Sequence, residues 1–339
     1  MHIFKNTNYH FLRYRWYALA ISWALIIAGG LTYLKYPIPL GIEFAGGTEV
    51  IEQFDQAVSV DQVRTALDKG LPGGGQNAMV QSYGDVSKHQ VMIRVPSVLS
   101  EHGEDLGQVA DAVDGALAKA NLGTFKRGAS NLVGPAVGQE LKSRALLATV
   151  FSLAGLLVYI AFRFQFSFAV GAVVATIHDL LITLAFLTFF HYDMTLNVIA
   201  AILTITGFST NDTIVIFDRI RENLRGMRRD SLNEVINVAV NQTLGRTVIT
   251  SGTAFLTAIA LFVFGGEVLK GFAFTMIVGI VTGTYSSVFI AAATVSFWRG
   301  SGPTRAAAHA HTIEGSRSQP SQPQQPTRKS KPQKKARAS

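Results

Sequence analysis

Residues 196–223 read LNVIAAILTITGFSTNDTIVIFDRIREN. A helix crosses the hydrocarbon of a bilayer in about 20 mostly apolar residues, and Leu196–Phe217 meets that length. Asp212 nevertheless lies inside the run, and Asp218, Arg219, Arg221 and Glu222 close it abruptly. The stretch reads as a membrane span with an ionisable group in its interior.

Working outward, five more segments qualify: roughly Trp16–Leu34, Ser143–Phe162, Ser167–Phe190, Thr247–Phe264 and Gly271–Phe297. The first has an apolar core too long for a secretory signal and runs into Lys35-Tyr36-Pro37 without a small-x-small cleavage site, so it reads as a retained anchor. Composition agrees. Of 339 residues, 48% are hydrophobic and 15% charged, where soluble domains carry about 25% charged residues. With no cysteine in the chain, disulfides, zinc fingers, iron–sulfur centres and thiol nucleophiles are excluded. The net charge of +8 is uneven: residues 300–339 hold eight Lys/Arg and one acid, or +7, which leaves +1 for the rest.

Short loops rich in Lys and Arg mark the cytoplasmic side. Lys5, Arg13 and Arg15 precede the first span, Arg163 lies between the second and third, and Arg219, Arg221, Arg225, Arg228 and Arg229 follow the fourth. The loop at His191-Tyr192-Asp193 has neither residue type, and Gly265–Lys270 has only Lys270. The bias predicts both termini in the cytoplasm, the first loop outside in the periplasm, and residence in a bacterial inner membrane. The organisation expected is residues 1–15 cytoplasmic, 16–34 span one, 35–142 an extramembrane domain, and 143–298 spans two to six with a cytoplasmic loop at about 218–246. Residues 299–339, rich in Pro, Gln, Ser, Ala and Lys, are expected to be a disordered basic tail near membrane lipid, with no nucleic acid required.

Residues 35–142 have a readable pattern. An extended stretch at Glu49–Phe54 leads into Ser59-Val60-Asp61-Gln62, a capping box. Val60, Val63 and Leu67 share a helical face, Ala78–Tyr83 and Gln90–Val95 read as strands, Leu106, Val109, Val113 and Leu117 mark a second helix, and Gly123–Val137 holds a last strand. The order β-α-β-β-α-β is the ferredoxin-like arrangement, with the face opposite the helices or an edge left for a partner.

Ionisable groups inside a membrane cost about 2.5–3.5 kcal/mol each on insertion scales. Asp179, beside His178, lies near the middle of span three; Asp212, beside Asn211 and Thr213, lies in span four; Arg246 enters span five. Spans four and five are antiparallel neighbours, so Asp212 and Arg246 are expected to approach each other. Desolvation favours a protonated carboxyl and a neighbouring guanidinium an ionised one. A carboxylate held between them can take up and release a proton as the arginine moves. The plainer readings are a snorkelling Arg246, a structural Asp212, an interhelical Asp179–His178 pair, and hydroxyl side chains that only glue helices together.

The motifs resemble those of the SecF family within SecD/SecF. Gly41-Ile42-Glu43-Phe44-Ala45-Gly46-Gly47-Thr48 resembles G-[IL]-D-F-x-G-G-T, with Glu43 in place of the usual Asp. Val133-Gly134-Pro135-Ala136-Val137-Gly138 resembles V-G-P-x-V-G, and Ile177-His178-Asp179 matches a span-three motif. Thr206–Asn223 resembles G-[YF]-S-x-N-D-T-I-V-[VI]-F-D-R-I-R-E-N, and Asn241–Thr247 resembles N-Q-T-L-x-R-T. The resemblance implies a six-helix membrane bundle, half of a resistance–nodulation–division type unit, with an inserted ferredoxin-like periplasmic domain. It implies no enzyme and no cofactor, but an accessory subunit that draws on the proton gradient to complete preprotein export. The partners implied are SecD, which would complete the relay, the SecYEG channel, a SecA-driven preprotein, and YajC and YidC. Asp212 and Arg246 fall on the family's proton-pathway positions, and Asp179 on a motif position of less certain role.

Three other readings stand beside this one: a small-molecule or lipid exporter of the same superfamily, a scaffold that moves no protons, and an intramembrane aspartyl protease using Asp179 and Asp212. The last lacks a Gly-x-Gly-Asp string around either acid.

Overall fold

The computed structural model describes residues 7–71, 78–84, 86–96, 106–163 and 166–299. The basic tail expected at 299–339 lies outside them apart from Arg299. Six helices are long and apolar enough to cross a membrane. The first is α1 (Arg15–Lys35), which continues a 3-10 turn at Phe11–Tyr14. The others are α5 (Pro135–Arg163), α6 (Phe166–Phe189), α7 (Leu196–Gly226), α8 (Leu232–Phe264), and a final span in three pieces. That span consists of α9 (Glu267–Ser286), a π-helical turn (Ser287–Ala291) and α10 (Ala292–Arg299).

Packing follows from side-chain size. Where α6, α7, α8 and the final span meet, Phe168, Phe217, Ile220, Ile236, Ala291 and Val295 form a buried core. Phe168 and Phe217 rings lie 5.1 Å apart between centroids. On α1, a Cβ added at Gly29 would lie 2.2 Å from Ala185 Cβ, so the missing side chain is what lets α1 and α6 touch. Only 6% of the apolar window of α5 is buried, which leaves it peripheral.

Between α1 and α5 the chain forms α2 (Ile42–Ala45), β1 (Gly47–Phe54), α3 (Val60–Gly70), β2 (Met79–Tyr83), β3 (Gln90–Pro96), α4 (Leu106–Lys119) and β4 (Phe125–Val133). The strands pair antiparallel in the order β2-β3-β1-β4, the ferredoxin-like topology. Ser59 caps α3 with Gln62 in the expected capping box. Phe54, Val63, Leu67, Val91, Ile93, Val113 and Leu117 fill the space between sheet and helices.

Two expectations need correction. Residues 218–246 are not a loop: α7 runs to Gly226 and α8 starts at Leu232, so only 227–231 link them. Hydropathy ends a span where charges begin, but a helix continues as long as its residues favour it and a cap is found; Ser231 caps α8 by accepting the Glu234 N–H. The helix-free face of the sheet is not left open either. Glu49, Ile51, Met92 and Arg94 on it are all buried, because it sits over the link between α6 and α7.

Candidate functional site

Two polar centres lie inside the bundle. The first surrounds Asp179 on α6, which is buried. Its Oδ2 accepts hydrogen bonds from Ser209 Oγ of α7 (2.5 Å) and Ser286 Oγ at the end of α9 (2.8 Å). Its Oδ1 lies 3.0 Å from His178 Nδ1, and His178 Nε2 lies 2.8 Å from Ser22 Oγ of α1. Ser22 Oγ is 3.2 Å from the Tyr285 hydroxyl, which donates to the Ala18 carbonyl at 2.6 Å. With hydrogen on both imidazole nitrogens, every contact from Tyr285 to Asp179 has a donor. With one, Ser22 must donate to Nε2 and its contact with Tyr285 has no hydrogen to share. The chain of groups can therefore hold one proton more or less, and it ties four helices together.

The second centre is Asp212, buried on α7. Thr247 Oγ1 of α8 donates to Oδ1 at 2.7 Å, whereas Oδ2 is buried with no hydrogen-bond partner among the described residues. Ser287, the first residue of the π-helical turn, lies close by. Adjacent serines of the final span thus face different acids, Ser286 towards Asp179 and Ser287 towards Asp212.

The expected approach of Arg246 to Asp212 is not a contact within the chain. Arg246 is exposed and no ion pair joins the two, although its charge is near enough to act on the carboxylate. The reason is helical phase. Thr247 faces α7, and one residue earlier is about 100° round the helix, which turns Arg246 to the outer side. Asn211 is exposed likewise, while Thr213 is buried. Among the other hydroxyls, Thr204, Thr206 and Thr210 donate to carbonyls one turn back in their own helix, at 2.7, 2.7 and 2.8 Å. They satisfy themselves rather than line a polar path.

The remaining motif residues meet one another. Gln242 Oε1 accepts from Arg219 Nε (2.7 Å) and Asn223 Nδ2 (2.9 Å), joining the charged end of α7 to α8. Asn241 accepts from the Tyr9 N–H (2.9 Å) and donates to the Tyr9 carbonyl (2.8 Å), so the segment before span one is held like a paired strand. Gly41 donates its N–H to the Met194 carbonyl at 2.8 Å. Phe44 is buried, and Gly46 (φ 69°) and Gly47 (φ 129°) make the turn into β1 that a side chain would strain. Thr48, next in the strand, is fully buried. Pro135 begins α5 directly after Gly134, and a Cβ at Gly138 would lie 3.1 Å from Gly46 N. The two motifs that bracket the inserted domain are therefore packed on each other.

The inserted domain holds two further charged clusters that sequence reasoning missed. Glu52 is fully buried on the helix-facing side of β1, facing Asp114 of α4. Burial first, then Asp114, push its carboxyl up from 4.5 to about 8. Arg127 of β4 binds Asp114 at 2.5 Å and Asp111 at 2.8 Å. On the other face, Arg94 of β3 donates from Nε to Glu49 Oε2 at 2.8 Å, and its Nη1 lies 2.8 Å from Asp193 Oδ2 in the α6–α7 link. Burial opposes the Arg94 charge, but Asp193 and Glu49 outweigh it and raise its pKa above the ordinary arginine range. One sign of Glu52 was visible: in the strand it falls in phase with Val50 and Phe54, which alternation puts in the core. No comparable sign marks Ser22 or Tyr285. Among the described residues no cluster of His, Asp and Glu could hold a metal ion.

Comparison with known proteins gives one family. Residues 114–301 match the model of the protein export membrane protein SecD/SecF, C-terminal. The protein translocase subunit SecF of Koribacter versatilis is 36% identical, over 88% of this chain and 95% of that protein. The one of Escherichia coli O157:H7 is 38% identical over 84% and 86%. Among solved structures, SecDF of Thermus thermophilus, a translocon-associated membrane protein, superposes with a TM-score of 0.76 at 32% identity. The match covers 87% of this chain and 39% of that longer one. SecDF in a super-membrane-facing form gives 0.61 at 32% identity, covering 92% and 40%.

Proposed function

From the premise that this chain belongs to the SecF family of protein translocase subunits, which its relatives establish, we propose that it works with a SecD partner as a proton-driven motor for preprotein export. It is a multi-pass membrane protein of the Sec pathway. The Lys/Arg distribution supports an orientation with both termini in the cytoplasm and the ferredoxin-like domain in the periplasm of a bacterial inner membrane. In this reading the partner's helices cover the outer side of α7 and α8, SecYEG and SecA deliver the preprotein, and the proton gradient supplies the energy. Each proton entering the cell yields about 2.3 kcal/mol per 100 mV, sufficient to bias a conformational change.

One observation carries the reading. Asp212 is buried in a span with one oxygen bonded to Thr247 and the other without a partner. An unsatisfied carboxylate oxygen in a membrane is expensive, and it implies a donor or a proton that this chain alone does not supply. Arg246, exposed beside it, is free to swing towards the carboxylate once a partner subunit covers that side.

Asp212→Asn keeps the shape and cannot titrate. In proteoliposomes containing this chain and its SecD partner, the variant should abolish the stimulation of export by a proton gradient and the accompanying proton flux. Wild-type export and flux in Asp212→Asn would leave the scaffold role and remove the motor.

A further inference from the structure

The link between α6 and α7 joins the two helices that carry Asp179 and Asp212, and it is unusually well fastened. Thr195 caps α7 by accepting the Val198 N–H at 3.2 Å. Met194 donates to the Pro39 carbonyl and accepts from Gly41 N–H, both at 2.8 Å. The Tyr192 ring stacks on Phe274 with centroids 4.4 Å apart. Whatever pulls on this link pulls on both helix ends.

The sheet of the inserted domain meets that link through charge. Each of its four strands presents one polar side chain to the junction: Glu49 from β1, Gln81 from β2, Arg94 from β3 and Asn131 from β4. Arg94 spans Glu49 and Asp193, both at 2.8 Å. Gln81 Nε2 donates to Asp193 Oδ2 at 3.3 Å, and Asn131 Nδ2 to Glu49 Oε1 at 3.1 Å. The Arg94 and Asp193 side chains are each only 11% exposed. An apolar contact would hold the domain down with less desolvation, but it would slide. A buried, forked ion pair has one geometry, and separating it strands charges away from water.

We propose that the Arg94–Asp193 pair is a rigid strut through which the inserted domain and the carboxylate-bearing helices move as one body. Both are positioning residues for the proton-driven step, a role that rests on the function proposed above. A change in the tilt of α6 or α7, set by protonation at the membrane centres, is then delivered to the sheet without slack. Conversely, a load on the domain is felt at the centres.

The test uses the complex of this chain with its SecD partner in proteoliposomes, reading export of a preprotein and proton flux in the same preparation. Asp193→Asn removes the charge with little change of shape and leaves Arg94 paired with Glu49, so the sheet keeps its own ion pair. Export per proton should fall by about two- to thirtyfold, the range that coupling residues command, while flux continues. Arg94→Gln should give the same loss, the double variant no more than either single one, and Arg94→Lys a partial recovery. Wild-type export per proton in Asp193→Asn overturns the strut. So does a loss of export and flux in parallel with loss of the assembled complex, which marks a folding defect. Failure of the motor reading looks different: Asp212→Asn would then keep its flux, whatever Asp193→Asn does to export.

Discussion

Replacing Glu52 by glutamine should remove most of the pH dependence of the inserted domain's stability. Asp114 keeps its charge on Arg127, and its Oδ1 and both Glu52 oxygens have no donor from elsewhere in the domain. Two carboxyl groups facing each other can bond only if one carries a proton, and burial makes that one Glu52, held at about 8. Below its ordinary value of 4.5 the folded and unfolded chains both carry the proton, and folding costs nothing extra. Between 4.5 and about 8 the unfolded chain ionises while the folded domain holds its proton. Each pH unit in that window removes about 1.4 kcal/mol of stability. The ceiling over the whole window is about 5 kcal/mol, reduced by any relaxation that brings water to the acid. Glutamine cannot ionise and can donate to Asp114 in place of the shared proton. Hydrogen exchange of β1 and α4 amides in the full chain, corrected for intrinsic rates, reads the difference. Wild-type protection should fall steadily from pH 5 to 8 and level off above, and Glu52→Gln should be flat. An equal slope in both proteins, or no slope in the wild type, would refute the reasoning.

Two further substitutions probe the motif contacts. Asn241→Ala deletes both hydrogen bonds to the Tyr9 backbone, a loss of about 1–3 kcal/mol; faster tryptic cleavage at Arg13 and Arg15 in the folded protein is the expected result. Gly138→Ala places a methyl 3.1 Å from Gly46 N, an overpacking cost of about 1–3 kcal/mol. It should lower the thermal midpoint of the whole chain, whereas alanine at Gly155, where nothing lies within 4 Å, should not.

The parts of the molecule governed by local chemistry were legible in the sequence. Six apolar runs became six helices, and the capping box at Ser59 and the β-α-β-β-α-β order appear as expected. What escaped depends on which distant side chain answers a polar one. Asp179 announced itself by its cost in a membrane, but its partners Ser22, Ser209 and Ser286 lie on three other helices and have no spacing rule to betray them. Arg246 and Thr247 stood side by side in one motif, and only helical phase decided that the threonine touches Asp212. Arg94 and Asp193 pair across 99 positions, joining a strand to a turn that looked like punctuation between spans.

The π-helical turn at Ser287–Ala291 makes the final crossing sensitive to counting. A turn that holds one residue too many offsets everything after it, so excising a single amino acid there would restore the regular repeat and swing Ala292–Phe297 by about 100°. Val295 would leave the hydrophobic centre, and Ser296 would part from Asn233 and Arg15. Exchanges of side chain in this stretch are gentler than any gap or insertion. A relative whose sequence is one residue shorter here would have to find another way to aim that end of its helix.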